Sequence, residues 1–170
     1  MENKKRLVLD EVIIDNINLD KPIKNKNGYD PKFSVRLIIK FFDTYTINNI
    51  KKTMNDVSVC AFGVGQLIQT PLYMYMKTYD YGLLEFRDNV MTVNSKSVPE
   101  IIDHNSNRFN GKLLGGMHVK ATIEFSPYII NGKKGISAKL IQLQLLENQS
   151  HDLSAKNNLN KKGEENYDYV

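Results

Sequence analysis

Between residues 32 and 40 the chain alternates with a period of two. Phe33, Val35, Leu37 and Ile39 share one parity. Lys32, Ser34, Arg36 and Lys40 share the other, with Ile38 the lone apolar residue among them. A period of two puts successive side chains on opposite faces of a strand. The stretch therefore predicts a strand with a core face and a cationic face. Asn27-Gly28 and Asp30-Pro31 punctuate the chain just before it and predict the turn that delivers it.

The same reading extends along the chain. RLVLDEVII, residues 6–14, predicts a first strand, and the Asn-, Lys- and Asp-rich segment 16–28, with Pro22 inside it, predicts a loop. Asp43 or Thr44 is placed to cap a helix through Ile47, Ile50 and Met54, whose spacing of three and four makes one apolar stripe. That helix is expected to end near Asp56 to Ser58. Gly63 and Gly65 discourage regular helix beyond it. Met91, Val93 and Ser95 alternate with Val90, Thr92, Asn94 and Lys96 in a strand over 90–96. Met117, Val119, Ala121, Ile123 and Phe125 alternate with His118, Lys120, Thr122 and Glu124 in another. Asn131-Gly132 is the strongest hairpin signal in the sequence. It predicts two long antiparallel strands, about 116–130 and 135–146, joined at a tip carrying Lys133 and Lys134.

About five strands, one helix after the second strand and a basic loop before the last hairpin predict a mainly β fold. The best match is an OB-fold-like antiparallel β-barrel, with another antiparallel barrel or a sandwich compatible with the same pattern. The expected organisation is one domain over residues 1–147 and a flexible tail over 148–170. From Asn148 onward the composition is too polar to bury enough surface to offset ordering.

Composition narrows the partners. The 170 residues carry a formal net charge of +4 and are 41% hydrophobic. No run of about 18 apolar residues predicts a membrane span. The single cysteine, Cys60, rules out an internal disulfide framework and suggests a reducing, intracellular compartment, the host cytoplasm if the gene is viral. The first residues alternate apolar with acidic positions, as a strand does and a signal peptide does not. Charge is unevenly placed. Residues 1–163 hold all 23 Lys and Arg against 16 acids, whereas EENYDYV, residues 164–170, holds three acids and no base. A basic body with an acidic end points towards nucleic acid.

Catalytic and metal patterns are weak. His104, His118 and His151 are scattered, and Cys60 has no zinc-spaced partner. There is no GxxxxGK[ST] loop and no GxSxG elbow. Carboxylates at Asp10, Glu11 and Asp15, and at Asp80, Glu85 and Asp88, leave a magnesium nuclease as a minor alternative. The sequence predicts no enzyme, metal or cofactor.

The cations make a better constellation. Lys32, Arg36, Lys96 and Lys120 fall on outward parities, Lys133 and Lys134 at the hairpin tip, and Arg108 and Lys112 in the loop 103–112. Tyr73 and Tyr75 share one parity and offer either an amphipathic cover for the core or a stacking surface. Cationic grooves with aromatic rings bind single strands without reading sequence, because every base has a π face. An acidic, tyrosine-bearing tail on a flexible tether can compete for such a groove at high effective concentration. A structural or protein-interaction role in a virus is the alternative reading.

With these residues in view, the chain resembles the phage single-stranded DNA-binding proteins that combine an OB fold with an acidic C-terminal tail, the replication proteins of podovirus-type phages. The pieces come in the family's order: RLVLDEV, GYDPKFSVRLII, VNSKSVPEIID, FNGKLLGGMHVKATIEFSPYIINGKKGISAKL and EENYDYV. The resemblance places Lys32, Phe33 and Arg36 in its first motif, Asn94, Ser95 and Lys96 in its second, and Lys133 and Lys134 in its third. It implies a non-catalytic protein that coats single-stranded DNA during replication and recombination. It further implies contacts of Glu164, Glu165, Tyr167, Asp168 and Tyr169 with the replicative polymerase and helicase, and a homodimer. Two features depart from the pattern. The chain ends Tyr-Asp-Tyr-Val where relatives commonly close on phenylalanine, and segment 59–82 does not match the family's pattern, which leaves its tyrosines without support from the resemblance.

Overall fold

The first strand is far longer than its apolar core. In the computed structural model, which describes residues 3–23, 32–75 and 88–146, β1 runs Lys5–Ile23. It continues through the polar segment assigned above to a loop. Ile17 and Leu19 alternate there with Asn16, Asn18 and Asp20, so the period of two persists although the face is polar. Register shifts at Leu9/Val12, Ile14/Asn16 and Asn18/Ile23 bend the strand. Bulges of this kind let one strand turn a barrel corner. The first half of β1 pairs antiparallel with β6 and the second half with β2.

β2 (Lys32–Ile39) keeps the predicted alternation, with Val35, Leu37 and Ile39 buried. α1 (Thr44–Phe62) begins at Asp43, whose carboxylate accepts from the Thr46 backbone N–H at 3.2 Å. It runs past the expected end to Phe62, which packs against the core one turn beyond the buried stripe of Ile47, Ile50, Met54 and Val57. It stops at Gly63, whose N–H donates to the Val59 carbonyl.

β3 (Leu72–Tyr75) pairs with β4 (Asp88–Ser95) at the sheet edge, and the three-residue β5 (Glu100–Ile102) pairs parallel with β7. β6 (His118–Ile130) and β7 (Lys133–Leu145) form the predicted hairpin. Asn131 and Gly132 both have positive φ, 51° and 75°, the backbone of a type I′ turn that matches strand twist.

The strand order is β3-β4-β2-β1-β6-β7-β5, with an additional β4–β7 contact. That contact closes β1, β2, β4, β6 and β7 into a five-stranded barrel of the OB type. α1 packs on β6, β1 and β7. The barrel is filled by inward parities, among them Leu37, Met91, Val93, Ile123, Phe125 and Leu143. Closure is thin, because a single parallel pair, Asn94 with Lys139, joins β4 to β7. A crevice opens along that seam.

Candidate nucleic-acid interface

The seam exposes outward side chains from β2 and β4 beside the turn end of the β6–β7 hairpin. Asn94 lies opposite Ser34, and Thr92 opposite Arg36, so outward residues of β2 and β4 form rows across one face. A cleft of about 660 Å³ lies over this face. Lys32, Thr92 and Asn94 supply one wall, Gln69 and Pro71 another, and Tyr128, Ile130 and Lys133 the hairpin side. A second cleft of about 280 Å³ shares Lys32, Asn94 and Ser137 with the first. It is lined by Lys4, Lys96 and Lys139 with Ser95, Ser97 and Ser126. The two form one groove with chemically different halves. The first carries an aromatic ring and apolar side chains, and the second is crowded with ammonium groups and hydroxyls. The one carboxylate lining the groove among the described residues, Glu124, accepts from Arg6 Nε at 3.1 Å.

Of the residues singled out from the sequence, Lys32, Asn94, Lys96 and Lys133 line the groove. Phe33 shares the inward parity of Val35 and is half-buried. Arg36 stands on the outward parity beside the groove, where its Nε donates to the carboxylate of Asp15. The hydrogen bond to Asp15, and further contact with Tyr73, raise its pKa above the ordinary arginine value against an opposing desolvation. Tyr73 lies opposite the buried Val90 and is itself 44% exposed. Of Tyr75 only the backbone is described, opposite Asp88.

Other predicted residues stand apart. Lys120 lies on β6 opposite Gln144 and lines neither half of the groove. Arg108 lines a different cleft with Pro99, Glu100 and Phe109, and Lys112 lies in the same loop. Lys134 turns to the opposite side of the hairpin from Lys133. Its Nζ donates to Gln66 Oε1 at 2.8 Å and lies 5.7 Å from the Phe62 ring centroid. The tail residues Glu164, Glu165, Tyr167, Asp168 and Tyr169 lie outside the described residues.

Residues not singled out from the sequence also form the groove. Tyr128 sits opposite Gly135, its ring lying where a glutamine or even an alanine Cβ at 135 would collide with it. Its hydroxyl donates to Gln69 Oε1 at 3.3 Å. Ile130 shares its side of β6 and is 61% exposed. The aromatic-glycine opposition across an Asn-Gly hairpin is a signal that the sequence carries for Tyr128. Gln69 has none, since nothing local foretells that the segment after α1 crosses the hairpin. Among the described residues, no three His, Cys, Asp or Glu side chains are grouped to hold a metal ion, and no helix is long and apolar enough to cross a membrane.

A family model described as "Enterobacter phage Enc34, ssDNA-binding protein" matches residues 5–168. The single-stranded DNA-binding protein of bacteriophage Enc34 in complex with ssDNA superposes with a TM-score of 0.63 at 16% identity, covering 83% of this chain and 85% of that one. A C-terminal truncation of the same phage protein gives 0.62 at 16% identity, covering 85% and 90%. The crystal structure of gp2.5, a single-stranded DNA-binding protein of bacteriophage T7, gives 0.55 at 14% identity, covering 84% and 86%. At such identities these likenesses establish the fold. No curated protein sequence matches significantly.

Proposed function

The chain belongs to the family of the Enterobacter phage Enc34 ssDNA-binding protein, and from that premise we propose that it binds single-stranded DNA in the groove at the β4–β7 seam, without reading sequence and without a catalytic step. One observation carries the assignment to this groove. Lys32, Asn94, Lys96 and Lys133, distant in sequence, converge beside Tyr128 and Ile130. The ammonium-rich half takes the sugar-phosphate backbone. Tyr128 offers a ring face to a base, with Ile130 and Pro71 as apolar neighbours. Such rings contribute about 1–3 kcal/mol per stacked base and tolerate every base.

In this reading the protein coats unwound DNA in replication and recombination, protects it, removes secondary structure and helps complementary strands anneal. Residues 148–170 act as a tail whose Glu164, Glu165, Tyr167, Asp168 and Tyr169 compete with DNA for the groove and contact the replicative polymerase and helicase. Exchange of tails between two copies gives a homodimer a purpose.

Titration of a fluorescent oligo-dT strand with the full chain, and with the chain lacking residues 164–170, tests both layers. Competition by the tail predicts tighter binding after truncation. Unchanged affinity rejects the tail's part alone, and no binding by either form at low salt rejects DNA binding.

A further inference from the structure

Segment 63–71, which follows α1, is strapped along the edge of β7 next to the hairpin turn. Gln69 N–H donates to the Lys134 carbonyl at 3.0 Å, and Ile136 N–H donates to the Gln69 carbonyl at 2.8 Å. Together they make a parallel bridge to Gly135. Gln66 fastens the same strap at a second point by accepting from Lys134. The Gln69 backbone is thus fixed to the strand residue over which the Tyr128 ring lies.

That placement bears on the ring. With glycine at 135, Tyr128 has no cross-strand side chain to lean on. A tyrosine in this situation has two torsions to settle, and packing over a bare backbone restrains its face but not its swing along the strand. The hydroxyl of Tyr128 reaches Gln69 Oε1, so the far end of the ring is tied to a side chain whose own backbone is hydrogen-bonded through both its N–H and its carbonyl. Ring and amide both line the larger half of the groove.

We propose that Gln69 is a positioning residue for nucleic-acid binding: by accepting the Tyr128 hydroxyl hydrogen bond from a backbone anchored on both sides of Gly135, it holds the ring ready to stack on a base. This rests on the reading of the groove given above. It adds that the strap after α1, and not the hairpin alone, sets the stacking geometry. A preorganised ring loses less freedom on binding than a swinging one. One neutral hydrogen bond of this kind is worth about a two- to tenfold change in affinity.

The experiment is a double-mutant cycle on the full chain, with Gln69→Leu, Tyr128→Phe, both together, and Tyr128→Ala for reference. Each is titrated with oligo-dT and with an abasic sugar-phosphate oligomer of equal length. Thermal unfolding is recorded for each variant. The expected result is a loss of about two- to tenfold on oligo-dT for either single change, no further loss for the pair, unchanged affinity for the abasic oligomer, and wild-type unfolding of Gln69→Leu. Additive losses would overturn the proposal, because Gln69 would then act independently of the hydroxyl. So would an equal loss on the abasic oligomer, which has no base to stack. Wild-type binding of oligo-dT that survives Tyr128→Ala unchanged removes the platform itself and overturns the proposal while leaving DNA binding intact. Absence of wild-type binding to either oligomer overturns this proposal and the functional reading together.

Discussion

Arg36 on β2 donates its Nε–H to the carboxylate of Asp15, which stands at the bulge of β1 one strand away. The guanidinium of the most conspicuous cationic strand is therefore partly neutralised by its own barrel. Lys32, about 13 Å along the same face at four strand residues, lines both halves of the groove. The two cations are not equivalent. Asp15→Asn is expected to tighten binding of oligo-dT and to steepen its salt dependence by up to ~0.7 in the logarithmic slope, the value for one phosphate on a single strand. Lys32→Ala is expected to flatten that slope more than Arg36→Ala does. A series of titrations at four salt concentrations checks both. An unaltered slope in Asp15→Asn would place Arg36 off the path of the strand.

Tyr128→Ala should weaken oligo-dT binding by about 1–3 kcal/mol, the contribution of one stacked base, with little change in salt slope because no charge is lost. The converse pattern is expected of Lys133→Ala, which should change the slope and leave base-dependent quenching of tyrosine fluorescence intact. Titrations that follow both quantities separate the two halves of the groove.

Gly135→Ala tests the close approach of ring and strand. A Cβ at 135 would overlap the Tyr128 ring, so the ring must swing aside. Affinity for oligo-dT should fall about as far as in Tyr128→Ala, while unfolding by urea changes only modestly. Wild-type affinity in Gly135→Ala would mean that the ring stacks from a different rotamer.

Inside the barrel, Phe125 on β6 is 0% exposed. Phe125→Ala should cost about 3–5 kcal/mol of stability through lost burial and the cavity left behind. Urea unfolding measures it. A loss under 1 kcal/mol would mean that the barrel collapses readily around the site.

The barrel was legible in the sequence because it rests on parity, and so was the outward placement of Lys32, Asn94 and Lys96, three of the residues that line the groove. Alternation in 32–40, 90–96 and 117–125 fixed which side chains fill the barrel and which line its surface. Asp43 and Asn131-Gly132 fixed a helix start and a turn. What parity does not encode is which outward faces meet. Lys120 has the same parity credentials as Lys32, yet it lies away from the seam. Two bounds failed for local reasons. Asn16, Asn18 and Asp20 suggested a loop by composition although their spacing was that of a strand. The helix end was expected near Asp56 to Ser58 although Phe62, a turn further on, still packs against the core, and the helix stops only at Gly63. Gln69 was invisible because its role depends on a crossing between segments more than 60 residues apart.

Asp56 offers a pH test of the link between β1 and α1. Its carboxylate accepts from Lys5 Nζ at 2.9 Å, and this hydrogen bond lowers its pKa below the ordinary aspartate value. A depressed carboxyl pKa stabilises the fold above the unfolded-state value, and that contribution is lost as pH falls through the folded-state value. The unfolding temperature of Lys5→Ala should therefore lie slightly below wild type near neutral pH and converge on it below about pH 4. A gap that stays constant down to pH 3 would mean that Lys5 supports the fold by packing alone.

The most direct test of the groove as the DNA site is the salt dependence of oligo-dT binding by Lys32→Ala/Lys96→Ala/Lys133→Ala beside the wild type. These three residues come from β2, from just past the end of β4 and from β7, and they line the groove together. If phosphates lie along it, the triple variant binds much more weakly at low salt, and the slope of log K against log salt falls by up to about 2, at ~0.7 for each lysine. Affinity and slope equal to wild type, in a variant that unfolds at the wild-type temperature, would contradict the assignment and move DNA binding to another face of the barrel.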